Sequence, residues 1–429
     1  MSNFETLRQK IESHEARVVV VGLGYVGLPL AIALAHDGYG GFSVTGLDVC
    51  EERMRLVSAG LWPLDPREPV LPGMLKRTVE KGNLSATDDY AVCRDADVIV
   101  VCVPTPISEH KDPNYSALWQ AITGIAEHTR SALVIVESTL APHSTEDIAQ
   151  MLWPGVKLAH CPERVAPGCL LHNLRYMPRI IGGYTIEAAE LAAAFYLQVI
   201  ATSELHLTDC LTAEIVKTFE NGYRDVQIAL ANELALICAD LGADVWEVRR
   251  LVNTCPWRNV LEPGPGVGGP CLTKDSWLLA SSMSEPPEIL LTSRALNDGM
   301  PSQIVDLTIE ALREAKVALS SATVTILGVA YREGTSDVRE SPAIKIMSRL
   351  GRAGCEVRFY DPHVDGYDGD LVQALTDSDA AIIVTPHQEF SNLNWPNLGG
   401  VMRHRVLIDT RGMVKEAPGG FVFRGLGRG

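Results

Sequence analysis

The sequence predicts an α/β protein of two Rossmann-like doubly wound domains joined by a long central helical domain. Three observations lead there. Near each end of the chain, short β-branched runs alternate with helical segments, the pattern of a parallel sheet wound on both faces. Between them, residues 204–252 read as helix, broken by a turn at Gly242 and without a strand signal. The two ends also echo one another: GLDV (46–49) matches FYDP (359–362), and DADVIVVCVPTP (95–106) matches DSDAAIIVTP (377–386).

The first domain opens with RVVVVGLG (17–24), a β-branched run ending in glycine that reads as a buried parallel strand. A helix from Gly27 and a second strand, SVTGLDV (43–49), follow, and further strands are expected at 97–103, 132–137, 156–160 and 179–182. After the helical middle come a glycine-rich loop and a helix at about 288–316. Strands then return at 323–330, 356–362, 380–386 and 405–412. The expected domains are 1–203, 204–316 and 317–429, with the terminal GLGRG frayed. Long apolar-faced helices between domains commonly form a subunit interface, so a homodimer is expected.

Composition narrows the class. The 429 residues are 46% hydrophobic and 21% charged, values of an ordinary globular protein with room for full cores. No uninterrupted apolar stretch of about 18 residues occurs, which argues against a membrane span. The polar start MSNFETLRQKIESHE lacks the apolar core of a signal peptide, and a cytoplasmic location is expected. Ten cysteines without CxxC or Cys/His ligand spacing read as thiols rather than disulfides or a zinc site. A net charge of −16 argues against a nucleic-acid partner. An anionic substrate must therefore be held by local cations and backbone amides.

Four groups of residues carry chemistry. Gly22-x-Gly24-x-x-Gly27 lies between a strand and a helix, and Asp48 ends the next strand about 20 residues on, the arrangement of a dinucleotide site. A carboxylate there accepts from ribose hydroxyls and repels a 2′-phosphate, which favours NAD. Tyr25, Val26, Arg53, Pro104, Thr105 and Thr139 complete the expected cofactor contacts. Lys217 and Asn221, one turn apart on a helix, can stabilise one developing oxyanion. Glu163, Thr139 and Thr105 fall just past strand ends, where doubly wound sheets bind ligands; Glu163 can hold or activate a water. Finally, residues 263–275 (PGPGVGGPCLTKD) place four glycines, Gly264, Gly266, Gly268 and Gly269, ahead of Cys271, Lys274 and Asp275. Glycines of this density allow the backbone to approach something bulky closely, and Cys271 becomes a candidate nucleophile.

Taken together, these motifs make the chain resemble the nucleotide-sugar 6-dehydrogenases of the UDP-glucose/GDP-mannose dehydrogenase family. The likeness runs through VVGLGYVGLPLA (20–31), VPTP (103–106), EST (137–139), CPER (161–164), KTFEN (217–221), PGPGVGGPC (263–271), GVAYREGTSDVRESPA (328–343) and YDP (360–362). It implies oxidation of the primary alcohol of a UDP-sugar to a carboxylate with two NAD and no metal. Thr139, Glu163 and Asp275 order a water, and Lys217 with Asn221 stabilises the oxygen. Cys271 captures the aldehyde as a thiohemiacetal that becomes a thioester and is hydrolysed. Glu163, Arg164, Lys217, Asn221, Arg258, Gly268 and Arg339 are the implied substrate contacts. The UDP is expected between the central helices and the C-terminal domain.

Several positions depart from the family pattern. Pro270 stands where the N-acetylhexosamine branch usually has histidine, while Lys274-Asp275 is similar to the UDP-glucose branch. His143 replaces a frequent glycine, and Arg258 is offset by one residue from the expected arginine. The branch resemblance favours a UDP-N-acetylhexosamine, with UDP-glucose as the alternative. A single-step β-hydroxyacid dehydrogenase and a non-catalytic nucleotide-sugar sensor are the readings from other classes.

Overall fold

Four successive valines after Arg17 offer no polar side to water, and strand β1 (Arg17–Val21) accordingly sits inside a sheet, its valines at most 3% exposed. With it pair β2 (Ser43–Leu47), β3 (Leu84–Thr87), β4 (Val98–Val101), β5 (Leu133–Val136), β6 (Lys157–His160), β7 (Arg179–Gly183) and β8 (Leu205–Asp209). Their order is β3-β2-β1-β4-β5-β6-β7-β8, and the sheet is parallel except for the antiparallel pair β6–β7. One face packs on Leu30, Ile32, Phe42 and Phe195, the other on Leu118, Ile122, Ile125 and Ile148. Each such side chain contributes roughly 1.5–3 kcal/mol on burial, and together they fix the sheet.

A second sheet contains β9 (Thr323–Leu327), β10 (Glu356–Tyr360), β11 (Ala380–Ile383), β12 (Val406–Asp409) and β13 (Val422–Gly425). Its order is β10-β9-β11-β12-β13, parallel throughout. Helix Pro342–Arg352 covers one face through Ala343, Ile346 and Leu350. Phe390, Trp395 and Leu398 close the other.

This computed structural model describes residues 3–64, 69–164, 169–201 and 204–428. The chain divides into two compact units, Met1–Glu220 with Trp277–Ser284, and Asn221–Ser276 with Glu285–Gly429. Val165, Ala166, Pro167 and Gly168 of the CPERVAPG motif, and Ser203 at the expected first boundary, lie outside the described residues.

The structure corrects two sequence expectations. The stretch from 204 opens with β8, a strand hidden from the pattern because it is an edge strand whose residues are exposed or half-exposed. Only then does the central helix, Cys210–Leu241, begin. The chain end is tied down rather than frayed: Val245 N–H donates to the Gly427 carbonyl at 2.8 Å, and Leu426 is 2% exposed.

Candidate active site

In the first unit the strand order reverses between β1 and β4, the switch point where open α/β sheets bind ligands. Gly22 has φ +92°, and a Cβ there would lie 2.5 Å from the Cys102 carbonyl oxygen. A Cβ on Gly27 would strike the Gly22 carbonyl, so that glycine serves close packing of helix on strand. Gly24 differs: its Cβ would meet no protein atom within 4 Å. Space left open at the middle glycine is what close approach of a pyrophosphate requires. Helix Gly27–Ala35 starts here with no side-chain cap; the Leu28 and Leu30 N–H groups donate to the Gly24 and Val26 carbonyls and Pro29 has no N–H, so the Gly27 amide is what the first turn can offer an anion.

Asp48 braces the same turn. Its Oδ2 accepts from the Leu23 N–H at 2.7 Å and from Arg53 Nη1 at 2.9 Å, while Oδ1 accepts from the Cys50 N–H at 2.9 Å. Arg53 is thus committed to Asp48. Tyr25 and Val26 are half-buried in the turn itself. Beyond β4, Pro104 is exposed, whereas the buried Thr105 hydroxyl donates to the Thr139 carbonyl at 2.7 Å. Ser138 Oγ donates to the Val103 carbonyl, also at 2.7 Å, so the loops after β4 and β5 are stitched together. These residues fit an NAD bound over Gly24.

The neighbouring strand ends organise a second cluster. Glu137 of the EST motif is buried against Arg179 and Tyr196, and burial raises its pKa; it supports the loop from below. His160 is fully buried and donates Nδ1–H to the Val136 carbonyl; burial lowers it to about 4, so its ring is neutral. Three residues later Glu163 meets Lys217, whose Nζ donates to the Glu163 carbonyl at 2.6 Å and to its Oε1 at 2.9 Å. Lys217 is 6% exposed, which strengthens the pair. One turn earlier on the central helix, Glu214 accepts the His143 and Thr145 N–H groups, each at 2.7 Å. That bond pins the helix to the turn just after Thr139.

Arg164, an expected substrate contact, donates to Glu220 through Nε and Nη2 and to the Pro178 carbonyl through Nη1. His143 has φ +71°, which explains why glycine suits this position.

In the second unit, Asn221 Nδ2 donates to Asp275 Oδ2 at 2.5 Å, and Lys274 Nζ donates to Oδ1 at 2.6 Å. Asp275 is fully buried, and its N–H donates to the Cys271 carbonyl at 3.0 Å. The half-buried Cys271 therefore stands directly before the helix Asp275–Ala280, its backbone fixed by the Lys274 and Asp275 amides.

The glycines of this loop do permit close approach, but their immediate neighbours are protein. A Cβ on Gly264 would strike Arg411. On Gly266 (φ +125°) it would lie 3.2 Å from the Asn297 carbonyl oxygen. On Gly268 it would lie 2.6 Å from Tyr331 Cβ, and on Gly269 (φ +87°) 2.8 Å from the Tyr331 ring. The Gly269 N–H donates to the Arg339 carbonyl at 2.9 Å. Arg339 forks onto Asp337 (2.6–3.0 Å), which holds its charge in place. Arg258 is exposed and donates to the Trp257 carbonyl.

Tyr331 and Arg411 carry no role in the sequence reading. Arg411 Nε donates to the Val384 carbonyl at the end of β11, and burial lowers its pKa to about 10. A tyrosine in GVAYREG and an arginine after IDT were visible, but nothing local in the sequence places either against glycines at 264–269. Among the described residues, His363, His387 and Glu389 form one group of metal-ligand type. Both His387 nitrogens are engaged, Nδ1 by the Gly334 N–H and Nε2 with Asp361, so that ring is spoken for.

Residues 16–200 match the NAD-binding domain of the UDP-glucose/GDP-mannose dehydrogenase family, 211–299 its central domain and 325–416 its UDP-binding domain. The chain belongs to this family. It is a nucleotide-sugar dehydrogenase with NAD as cofactor. It is 42% identical to UDP-N-acetyl-D-mannosamine dehydrogenase of Pyrococcus horikoshii over 96% of this chain and 99% of that protein. The solved structure of that relative superposes with a TM-score of 0.92. An NDP-N-acetyl-D-galactosaminuronic acid dehydrogenase from Methanosarcina mazei is 31% identical with a TM-score of 0.85, covering 100% of this chain and 98% of its own. As a member of the dehydrogenase family, the chain accounts for its open Gly24 as an NAD feature and for its second sheet as part of a UDP-binding domain.

Proposed function

We propose that this dehydrogenase oxidises the primary alcohol of a UDP-N-acetylhexosamine, UDP-N-acetylmannosamine foremost, to the uronic acid in two NAD-dependent steps. The observation that carries the reading is Cys271, its carbonyl held by the Lys274 and Asp275 amides beside the Asn221–Asp275–Lys274 side-chain group, in a chain similar end to end to a UDP-N-acetylmannosamine dehydrogenase. Bound NAD supplies the hydride acceptor for both oxidations.

The roles fall to two groups of residues. In the first, Glu163 takes the alcohol proton through a water, and Lys217, paired to it, holds the oxygen as negative charge grows. Thr139, fixed through its carbonyl by Thr105, orients that water. In the second, Cys271 Sγ adds to the aldehyde carbon, and the carbonyl oxygen takes a proton to give the thiohemiacetal. Loss of that proton and of a hydride leaves a thioester. Water then adds to it and the thiolate departs, giving the carboxylate and the regenerated thiol. Asn221 contributes an amide donor for the oxyanion, and Asp275 handles the water. Gly268, Arg258 and Arg339 are assigned to the substrate, and Arg411, against Gly264, is placed at the diphosphate as a further cation offsetting the net charge of −16.

Three further assignments accompany this reading. The family segments support three functional segments, 1–203, 204–316 and 317–429. Ile215, Phe219, Tyr223, Leu230, Ile237 and Leu241 of the central helix recur at spacings of four and seven and are 41–74% exposed, a stripe suited to a homodimer. No described helix is long and apolar enough to cross a membrane, and no disulfide joins any of the ten cysteines; we assign the protein to the cytoplasm.

The test is stoichiometric. Purified protein is offered UDP-N-acetylmannosamine, UDP-N-acetylglucosamine, UDP-N-acetylgalactosamine and UDP-glucose, and NADH formed per sugar is counted. Two NADH per UDP-N-acetylmannosamine, with the highest kcat/KM in the panel, is the expected result. One NADH per sugar defeats the covalent scheme, and preference for UDP-glucose moves the enzyme to the other branch.

A further inference from the structure

The cysteine loop is held at both ends by a chain of buried polar side chains on two helices. At its entry the Gly264 N–H donates to Asn232 Oδ1 at 2.8 Å. Asn232 Nδ2 donates to Asn297 Oδ1 at 2.8 Å, and Asn297 Nδ2 donates to Asp225 Oδ1 at 2.8 Å. Asp225 Oδ1 also accepts from Arg294 Nη1 at 2.6 Å, and the same nitrogen reaches the Leu272 carbonyl at 3.4 Å. Leu272 follows Cys271 directly. All four side chains are at most 1% exposed.

Two features mark this chain as more than packing. A buried ion pair is seldom worth more to stability than an apolar pair of similar volume, because both charges are desolvated. Asp225 Oδ2 is buried and takes no hydrogen bond among the described residues, so the carboxylate is used on one side only. What the arrangement does deliver is register. Asp225 and Asn232 lie seven apart on the central helix, and Arg294 and Asn297 three apart on helix Glu288–Glu314, so each pair faces one way. The four link two rigid helices to the first glycine of the loop and to the carbonyl beside the nucleophile.

We propose that Arg294, with Asp225, Asn297 and Asn232, is a positioning set that fixes Cys271 for attack on the aldehyde. The proposal rests on the reading of Cys271 as nucleophile, yet it concerns loop position and can be tested apart from it. None of the four touches the reacting atoms. They act through Gly264 and Leu272.

The test is the double variant R294M/D225N. The amide introduced at position 225 still accepts from Asn297, so the link to Gly264 persists and no lone charge is buried; what is removed is the guanidinium, with its anchor on Leu272 and its two bonds to the half-buried Asp298 (3.2 and 3.3 Å). Because a misplacement of about 1 Å can cost on the order of a hundredfold in rate, kcat should fall at least about tenfold. The KM for NAD and the melting temperature should stay near those of the parent. The rate of Cys271 carboxamidomethylation, followed by peptide mass spectrometry against pH, should also shift severalfold, which a purely structural role would not produce. R294K, which keeps the charge paired with Asp225 and shortens the reach to Leu272, should show the same alkylation shift in milder form. Native kcat and a native alkylation profile in both variants overturn the proposal. C271S separates the two ideas: turnover retained in C271S removes the nucleophile assignment. The alkylation profile of Cys271 in the Arg294 variants still reports whether the set positions the loop.

Discussion

Replacing Gly269 with alanine sets two costs against the cysteine loop that the structure lets one separate. The residue has φ +87°, a region an L side chain enters at roughly 1–2 kcal/mol. Its Cβ would also stand 2.8, 3.0 and 3.2 Å from Cε2, Cζ and Cδ2 of Tyr331. Ordinary carbon contacts are near 3.5–4.0 Å, so the ring or the loop must move by several tenths of an ångström, an overpacking cost of about 1–3 kcal/mol. The sum, about 2–5 kcal/mol, is below the usual stability of a domain, and G269A should fold. Its transition should fall by about 4–20 °C, taking 2–4 °C per kcal/mol for a unit of this size. Because Cys271 lies two residues on, kcat should drop on the order of a hundredfold.

A double-mutant cycle with Y331L isolates the clash. Leucine removes the ring atoms that the new methyl would meet but leaves the backbone strain, so G269A/Y331L should be less destabilised than the two single changes summed, by about 1–3 kcal/mol. Urea denaturation of the four proteins measures it. Additivity to within about 0.5 kcal/mol would show that Tyr331 does not oppose a side chain at 269, and a native kcat in G269A would refute the placement of the loop altogether.

Other consequences can be measured directly. His160 is depressed to about 4 by burial, so the stability it confers by staying neutral is present above the unfolded value near 6.5 and drains away as pH falls towards 4. Between pH 7 and 4.5 this amounts to about 2–3 kcal/mol, and H160N should show a correspondingly flatter denaturation profile; an unchanged profile contradicts the buried neutral ring. At His143 the φ of +71° favours glycine, so H143G should gain about 0.5–1 kcal/mol at pH 8. The gain should be smaller at pH 6, because Glu146 raises the His143 pKa and the charged pair stabilises the fold below about 6.5, fading as pH climbs through the raised value; equal gains at both pH values would contradict this. Calorimetric titration with NAD should give one site per chain, weakened at least about tenfold in D48N, since the amide would turn one acceptor on the Leu23 and Arg53 donors into a donor. Two sites per chain would contradict a second sheet closed to NAD. L230D/I237D should convert a dimer to monomers in sedimentation, and an unchanged mass would remove the helix stripe as the interface.

The sequence made the buried strands legible because their signal is continuous: all four residues of β4 and of β5 are buried. Edge strands broke that rule. β3 and β8 are half-exposed or exposed over most of their length, so their alternation is weak and the first domain read one strand short at each edge. The chemistry-bearing motifs were found because each is local. Partners separated by dozens of residues were not: Arg294 finds Asp225 at a distance of 69 residues and Asn232 finds Asn297 at 65, and nothing in either neighbourhood marks the pairing. The glycine-rich loop shows the limit of composition. Its glycines said that something comes close, and only the fold shows that Tyr331, Arg411 and Pro301 are among what does.

The internal echo is instructive in the same way, since it held for the backbone and parted at the site. Gly22 and Gly328 share φ +92°, and each ends its central strand beside an acid, Asp48 or Asp361. In the first sheet the helix follows five residues after the glycine and has no side-chain cap, Gly24 is open, and Asp48 remains 5% exposed. In the second, Ala330 stands where Gly24 would, and the next helix starts only at Pro342, with the Ala343 N–H capped by the Ser341 hydroxyl. Asp361 is fully buried under Val329, Ala330 and His363 N–H groups and the His387 ring. An acid so enclosed has no lone pair facing solvent to offer a ribose, and a helix that opens on a proline with its next N–H capped has two fewer amides for a pyrophosphate. The same strand–glycine–acid phrase therefore builds a dinucleotide site only where the middle position is glycine and the helix begins at once. His387, in the sequence only the residue after a strand-ending TP, is what closes the second copy.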